Sequence, residues 1–250
     1  MSPVIISLVV FACVFGGAVL GMVIHFRLPD VHLQPNSKEV VRLAMGLVAT
    51  MVALVLGLLI ASAKGFYDTG NAEVTQLAAD AILIDRLLIY YGPEAQEARA
   101  ALRASVAHLL EPRGSTSSPK TRLHVPAGER GTLYDKIQEL SPANENQRRL
   151  QAQALGFATE IGRTRWLMFA QETTPLPAPL FGMLVFWLTM LFISFGMFVR
   201  PNAVVVASLL VSALAIAGAV LLIAGMYQPY GGLIQVSDAP LRAALAQLSQ

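Results

Sequence analysis

The side chains that commonly perform catalysis or bind metals are thinly spread along this chain. Its four histidines, at positions 25, 32, 108 and 124, have no second metal ligand at helical spacing, so we expect no metal site. Neither a phosphate-binding glycine loop nor a nucleophile elbow occurs in the sequence. We therefore expect no catalytic residue, no metal and no cofactor, and nothing in the sequence indicates an enzyme.

A row of small residues that ends in a lysine is the one pattern that predicts a chemical role. Its members are three or four positions apart, so they share one face of a helix. They are Gly46, Thr50, Ala53, Gly57, Ala61 and Lys64, followed by Asp68. If several copies faced a common axis, this row would line a pore, and the lysine at its mouth would favour anions. Two alternatives stay open: the small residues only pack helices together, and the lysine only snorkels to the membrane interface.

Four long apolar blocks carry this row and dominate the composition. The chain is 55% hydrophobic and only 14% charged, well below the charge of a soluble domain. The blocks run over 4–26, about 40–63, about 180–199 and about 203–226. Each reaches the roughly 20 residues that span a bilayer, and continuous apolarity favours helices over barrel strands. None has an acidic or basic residue at mid-membrane, which argues against an ion-coupled transporter.

The blocks predict an all-α integral membrane protein with four transmembrane helices and a helical extramembrane domain between spans two and three. The net charge of +2 gives no sign of nucleic-acid binding. The expected parts are spans one and two at 1–64, the helical domain at 65–178 with a mobile loop at about 113–131, spans three and four at 179–228, and an amphipathic C-terminal tail at 229–250. Two placements of that tail stay open, on the membrane surface or packed on the domain, and packing is the commoner outcome.

The first helix of the domain, which we expect to continue directly from span two, carries a heptad seam. The seam consists of Val74, Leu77, Ala81, Ile84, Leu88 and Tyr91. Such spacing is typical of contacts between helices of different subunits, so the seam is a candidate oligomer contact. Asp80, Asp85 and Arg86 of this helix are interpreted as its solvated face. Ser141 and Pro142 predict the N-cap and first residue of the long helix that follows.

Several short segments together resemble the bacterial bestrophin-like family, which is catalogued as a domain of unknown function. They are Gly57-Leu-Leu-Ile-Ala-Ser-Ala-Lys64-Gly-Phe-Tyr-Asp68, Asn71-Ala-Glu73, Gln76-Leu77, Asp85-Arg86, Tyr91-Gly92-Pro93, Ser194-Phe195-Gly196, Pro201-Asn202 and Gly231-Gly-Leu-Ile-Gln-Val-Ser237-Asp-Ala-Pro240-Leu-Arg242. The resemblance implies a likeness to bestrophins, which are pentameric anion channels with four spans per subunit, a pore lined largely by the second span and a cytosolic helical part. The small row departs from the bulky apolar rings of bestrophin necks, and no acidic cluster matches a bestrophin calcium clasp.

These observations favour a homo-oligomeric channel whose second span lines the pore. Its partners would be the lipid bilayer, further copies of itself (a pentamer, by the resemblance) and anions, with no nucleic acid. The resemblance places it in the inner cell membrane with both termini and the middle domain in the cytoplasm. The count of basic residues near the span ends is balanced and does not decide the orientation. The alternative is a non-conducting scaffold or sensor whose helical domain binds a partner.

Overall fold

The computed structural model describes residues 2–27, 35–110, 132–172, 178–199, 202–227 and 234–249. Within these ranges the regular structure is helical, without a strand, which confirms the all-α fold. The helices in chain order are α1 (Pro3–Arg27), α2 (Pro35–Tyr91), α3 (Gln96–Leu109), α4 (Leu133–Gln138), α5 (Glu145–Glu172), α6 (Ala178–Phe198), α7 (Ala203–Met226) and α8 (Ala239–Leu248). The predicted loop at 113–131 lies outside the described residues.

Four of these helices are long and apolar enough to cross a membrane. They are α1, α2, α6 and α7, and they correspond to the four predicted apolar blocks. Helix α2 has 57 residues and continues past its apolar part without a break, as the sequence indicated. Helix α7 begins where the Asn202 side chain accepts a hydrogen bond of 2.8 Å from the backbone N–H of Val205.

The first of two compact units contains the apolar helices and comprises Met1–Phe66, Pro175–Gln228 and Gly232–Ile234. Helix α1 packs against α6 and α7 in this unit. The first part of α2 joins the same core through one narrow face, formed by Val52, Leu59 and Ala63. Most of the rest of this part of α2 is exposed, because few residues of its own chain cover it.

Helices α1 and α6 approach each other closely in this unit, and the approach depends on glycines. A side chain at Gly21 would collide with the backbone carbonyl of Ile193, and one at Gly196 would collide with that of Ala18. Both glycines therefore allow the two backbones to come into direct contact, which is the usual role of small residues in membrane helix pairs. The His25 ring lies beside this crossing, with Nδ1 2.8 Å from the carbonyl oxygen of Met197.

The second unit comprises Tyr67–Thr174, Pro229–Gly231 and Gln235–Gln250 and has a core of its own. The end of α2 packs there with α3, α4, α5 and α8. The residues that α8 buries in this core are Leu241, Ala244 and Leu248, so the amphipathic C-terminal helix packs on the helical domain.

The predicted seam of α2 forms the centre of this second core. All six members are buried, with exposed fractions between 0% and 4%: Val74, Leu77, Ala81, Ile84, Leu88 and Tyr91. Their heptad spacing reflects packing against helices of the same chain, so the interpretation of this seam as an oligomer contact is wrong. A heptad of apolar residues identifies a buried helix face, but it does not say whether the covering helix belongs to the same chain.

The long helix α5 begins at Glu145, three residues after the predicted start at Pro142. Its first turn is capped by Asn144, whose side chain accepts a 2.8 Å hydrogen bond from the Gln147 N–H. The Gln147 side chain in turn accepts from the Ala143 N–H at 2.7 Å and donates to the carbonyl of Tyr91 at 2.9 Å. Ser141 and Pro142 therefore lie in the irregular segment before α5, and Gln147 ties the start of α5 to the end of α2.

Candidate functional site

The row of small residues predicted to line a pore lies on the outward side of α2. Every member is exposed within the chain: Gly46, Thr50, Ala53, Gly57, Ala61 and Lys64. Because a helix turns about 100° per residue, this row lies roughly opposite the face that packs into the first unit. No described atom lies within 4 Å of where a side chain at Gly46 or Gly57 would begin. The small row therefore has open space beside its two glycines.

The row presents a smooth surface with few hydrogen-bond donors. The hydroxyl of Thr50, the only polar side chain in mid-span, donates to the carbonyl of Leu47 at 2.7 Å. A hydroxyl satisfied in this way is the normal arrangement in hydrocarbon and does not attract an anion. Within this face the favourable charge for an anion is therefore concentrated at Lys64, with Asp68 one turn further on the same side.

A second outward row, which the sequence analysis did not single out, lies beside the small one. It consists of large exposed leucines: Leu43, Leu47, Leu54 and Leu58, with exposed fractions between 60% and 75%. In an oligomer one of these rows would face the axis and the other would face lipid or a neighbouring copy. The signal was present in the sequence as a leucine spacing of four, seven and four, but continuous apolarity in a span hides such a pattern.

A contact between α2 and α7 fixes the rotation of α2 near the lysine. The Tyr227 hydroxyl donates a 2.9 Å hydrogen bond to the hydroxyl of Ser62, and the Tyr227 ring lies 5.0 Å from that of Phe66. Tyr227 is itself almost buried, with 9% exposed. Because Ser62 and Phe66 are held against α7, Ala61 and Lys64 point away from it.

The two aspartates interpreted as a solvated face are buried, so that interpretation is wrong for both of them. Asp80 is 1% exposed and Asp85 is 5% exposed, whereas Arg86 is on the surface. Asp85 accepts two hydrogen bonds from the guanidinium of Arg99, at 2.7 Å from Nε and 3.3 Å from Nη2. This pair links α2 to α3 and compensates one of the two buried charges.

Asp80 is the less well compensated of the two carboxyl groups. Its Oδ1 accepts a 2.8 Å hydrogen bond from Nε2 of Gln76, while Oδ2 is buried and has no hydrogen-bond partner among the described residues. Burial raises the pKa of Asp80, the Gln76 hydrogen bond partly offsets this rise, and the negative charge of Glu160 adds to it. The group therefore holds its proton more tightly in the folded protein than in the unfolded chain.

We expect Asp80→Asn to flatten the pH dependence of stability in the acidic range. Because the folded state binds this proton more tightly, the wild-type protein loses stability as pH rises from about 4, the ordinary aspartate pKa, through the raised pKa of the folded state. The thermal midpoint in detergent, followed from pH 4 to 8, measures this slope. Asp238→Asn is the control, because the Asp238 side chain makes no capping hydrogen bond. A slope unchanged in Asp80→Asn would contradict the assignment.

The comparisons with known proteins give one result. Residues 12–241 match the family model described as a Bestrophin-like domain, which covers most of the 250 residues. No curated protein and no solved structure matches the chain. Among the described residues no three histidine, cysteine or acidic side chains come together in a way that would hold a metal ion.

Proposed function

Since the chain belongs to the bestrophin-like family, we propose that it forms a homo-oligomeric ion channel that favours anions. In this proposal the small row of α2 lines the pore, and Lys64 lies at one of its mouths. The protein would lie in the inner cell membrane, with the second unit and both termini in the cytoplasm. The family includes anion channels, and the four apolar helices of the chain agree with such a layout.

The outward direction of the small row is the observation that carries the proposal. Small residues in membrane helices usually allow close packing, and the glycines of α1 do so against α6. The row on α2 is of similar composition, yet its own chain leaves it exposed over five helical turns from Gly46 to Lys64. A smooth exposed face of this length is suited to a water-filled axis surrounded by several copies.

Purified protein in a planar bilayer is expected to conduct, with a reversal potential displaced towards that of chloride in a potassium chloride gradient. Lys64→Gln should reduce this displacement and Asp68→Asn should increase it, because each changes the charge at the mouth with opposite sign. An absence of conductance in chloride and potassium gradients would count against the channel. Displacement in the same direction for both variants would count against the anion preference.

Gly57→Leu is expected to lower the conductance at least ten-fold while the oligomer keeps its mass in detergent. A leucine here meets no described atom of its own chain, so the protomer should fold, but it would project into a pore lined by the row. Gly182→Leu is the matched control, since Gly182 is also exposed in a span and open around its Cα. If Gly57→Leu instead disperses the oligomer, the row is a contact between copies.

A second candidate is a non-conducting scaffold or sensor whose helical domain binds a partner. It is favoured by one surface of the second unit, where Leu83 and Tyr90 are 45% and 75% exposed on the side of α2 that bears Arg86. The bilayer recording separates the two functions, because a scaffold would bind its partner without any conductance.

A further inference from the structure

We propose that a groove between α2 and α6 binds one anionic phospholipid, with its phosphate on Arg42 and an acyl chain along the groove. The groove has a volume of ≈ 330 Å³. Helix α2 forms one wall with Arg42, Met45, Gly46 and Ala49. The other wall belongs to the end of α6 and includes Phe195 and Phe198. Both walls belong to the first unit, and the lining surface is mainly apolar.

The groove has a charged end and an apolar end because of its position along the two spans. Arg42 lies where the second apolar block begins, and Phe198 lies where the third one ends, so both are near the same membrane surface. From Arg42 to Ala49 the α2 wall extends about 10 Å towards the bilayer centre, at about 1.5 Å per residue. The guanidinium is therefore at headgroup depth, and the rest of the groove is at the depth of acyl chains.

The floor of the groove is open at Gly46 and Ala49, the two small residues among the four that α2 contributes to the lining. No described atom lies within 4 Å of the position of a side chain at Gly46, and Ala49 adds only a methyl group. Phe195, on the opposite wall, is 46% exposed, which leaves a large apolar surface to be covered. In a bilayer the material that covers such a surface is an acyl chain.

Charge complementarity selects the headgroup. An exposed guanidinium presents paired N–H donors that fit phosphate oxygens, and arginine binds phosphate more specifically than lysine does. A zwitterionic lipid carries its own ammonium group, which competes with Arg42 for that phosphate. Phosphatidylglycerol, an anionic lipid without an ammonium group, has no such competitor. Gly46 lies where the groove meets the small row, so the lipid would sit beside that row.

Lipid retention in nanodiscs tests this site without any measurement of conductance. The full chain is placed in equal amounts of phosphatidylglycerol and phosphatidylcholine with identical acyl chains, and the lipids retained per protomer are counted by native mass spectrometry. We expect a preference for phosphatidylglycerol of about five-fold, as one basic residue supplies. Arg42→Gln should retain lipid with a ratio near one, and Gly46→Leu, which fills the floor, should lose the retained lipid of both kinds.

Two matched variants make the result decisive. Arg27→Gln removes another exposed basic residue, at the end of α1, and should leave the ratio unchanged. Gly182→Leu should leave the number of retained lipids unchanged. Equal retention of both lipids by the wild type, or loss of the preference in Arg27→Gln as in Arg42→Gln, would overturn the proposal. The proposal would also be overturned if the wild-type oligomer retained no lipid and Gly46→Leu made the oligomer dissociate. The groove would then be filled by a second copy of the chain.

Discussion

Gly196→Ala should lower the free energy of unfolding by about 2–3 kcal/mol, because the added methyl group meets backbone and not a side chain that could turn aside. The position of that methyl overlaps the carbonyl group of Ala18 and crowds the backbone N of Met22, so α1 and α6 must move apart. Separation of the two backbones also costs contacts along the whole crossing. Thermal unfolding in detergent measures the effect as a fall of several degrees in the midpoint.

Gly21→Ala tests the same crossing from the other helix, since its methyl group would overlap the carbonyl of Ile193. The double variant should lose less than the sum of the two single losses, because helices already separated by one methyl accept the second more easily. Gly16→Ala and Gly182→Ala lie on the same two helices with no described atom within 4 Å, and both should stay within about 0.5 kcal/mol of wild type. Equal losses in all four single variants would contradict the close crossing.

Length and apolarity were sufficient to predict the membrane helices. The bounds of α1, α6 and α7 agree with the blocks read from the sequence to within a few residues. Helix α2 begins within a few residues of its block but continues to Tyr91, well past the apolar part. In lipid, a run of about 20 apolar residues has no stable alternative to a helix, because the segment must satisfy the hydrogen bonds of its own backbone. The same argument cannot tell which face of each span is covered by the chain itself.

The glycines of α1 and α2 illustrate this limit. Gly17 and Gly21 on α1 are buried against α6, whereas Gly46 and Gly57 on α2 are exposed, although both pairs lie in apolar runs with similar neighbours. The difference depends on which helices the fold brings together and on the rotation of α2. That rotation is fixed by contacts far apart in sequence, such as the one between Tyr227 and Ser62, which spacing within one helix cannot reveal.

The two buried aspartates were misread for a different reason. Asp80 lies three residues after Leu77, and Asp85 lies three residues before Leu88, so both share the seam face. The helical spacing thus contained the signal that they are buried, but charge alone had suggested solvent. The compensating residue of Asp85 is fourteen positions away on α3, and only the packing of α2 against α3 brings the two groups together.

Removal of one partner of the Asp85–Arg99 pair is expected to be among the most destabilising single changes in the second unit. Arg99→Met keeps most of the aliphatic stem but leaves Asp85 buried with an uncompensated charge, which we expect to cost about 3 kcal/mol. The Arg99 side chain is 23% exposed, so solvent screens part of the attraction and the loss should fall at the lower end of the range for buried pairs. The fall in thermal midpoint of the full chain in detergent is the measurement.

Two further variants separate the buried charge from a simple loss of packing. With Asp85→Leu added to Arg99→Met, most of the lost stability should return, because an apolar pair of similar volume needs no charge compensation. Lys136→Met instead removes a cation at the surface, where Lys136 contacts the exposed Glu97 and Glu139 at 3.1 Å each, and it should hardly change the midpoint. If the double variant were less stable than Arg99→Met, Asp85 would be required for contacts other than this ion pair. The charge left behind by Arg99→Met would then not be the cause of its loss.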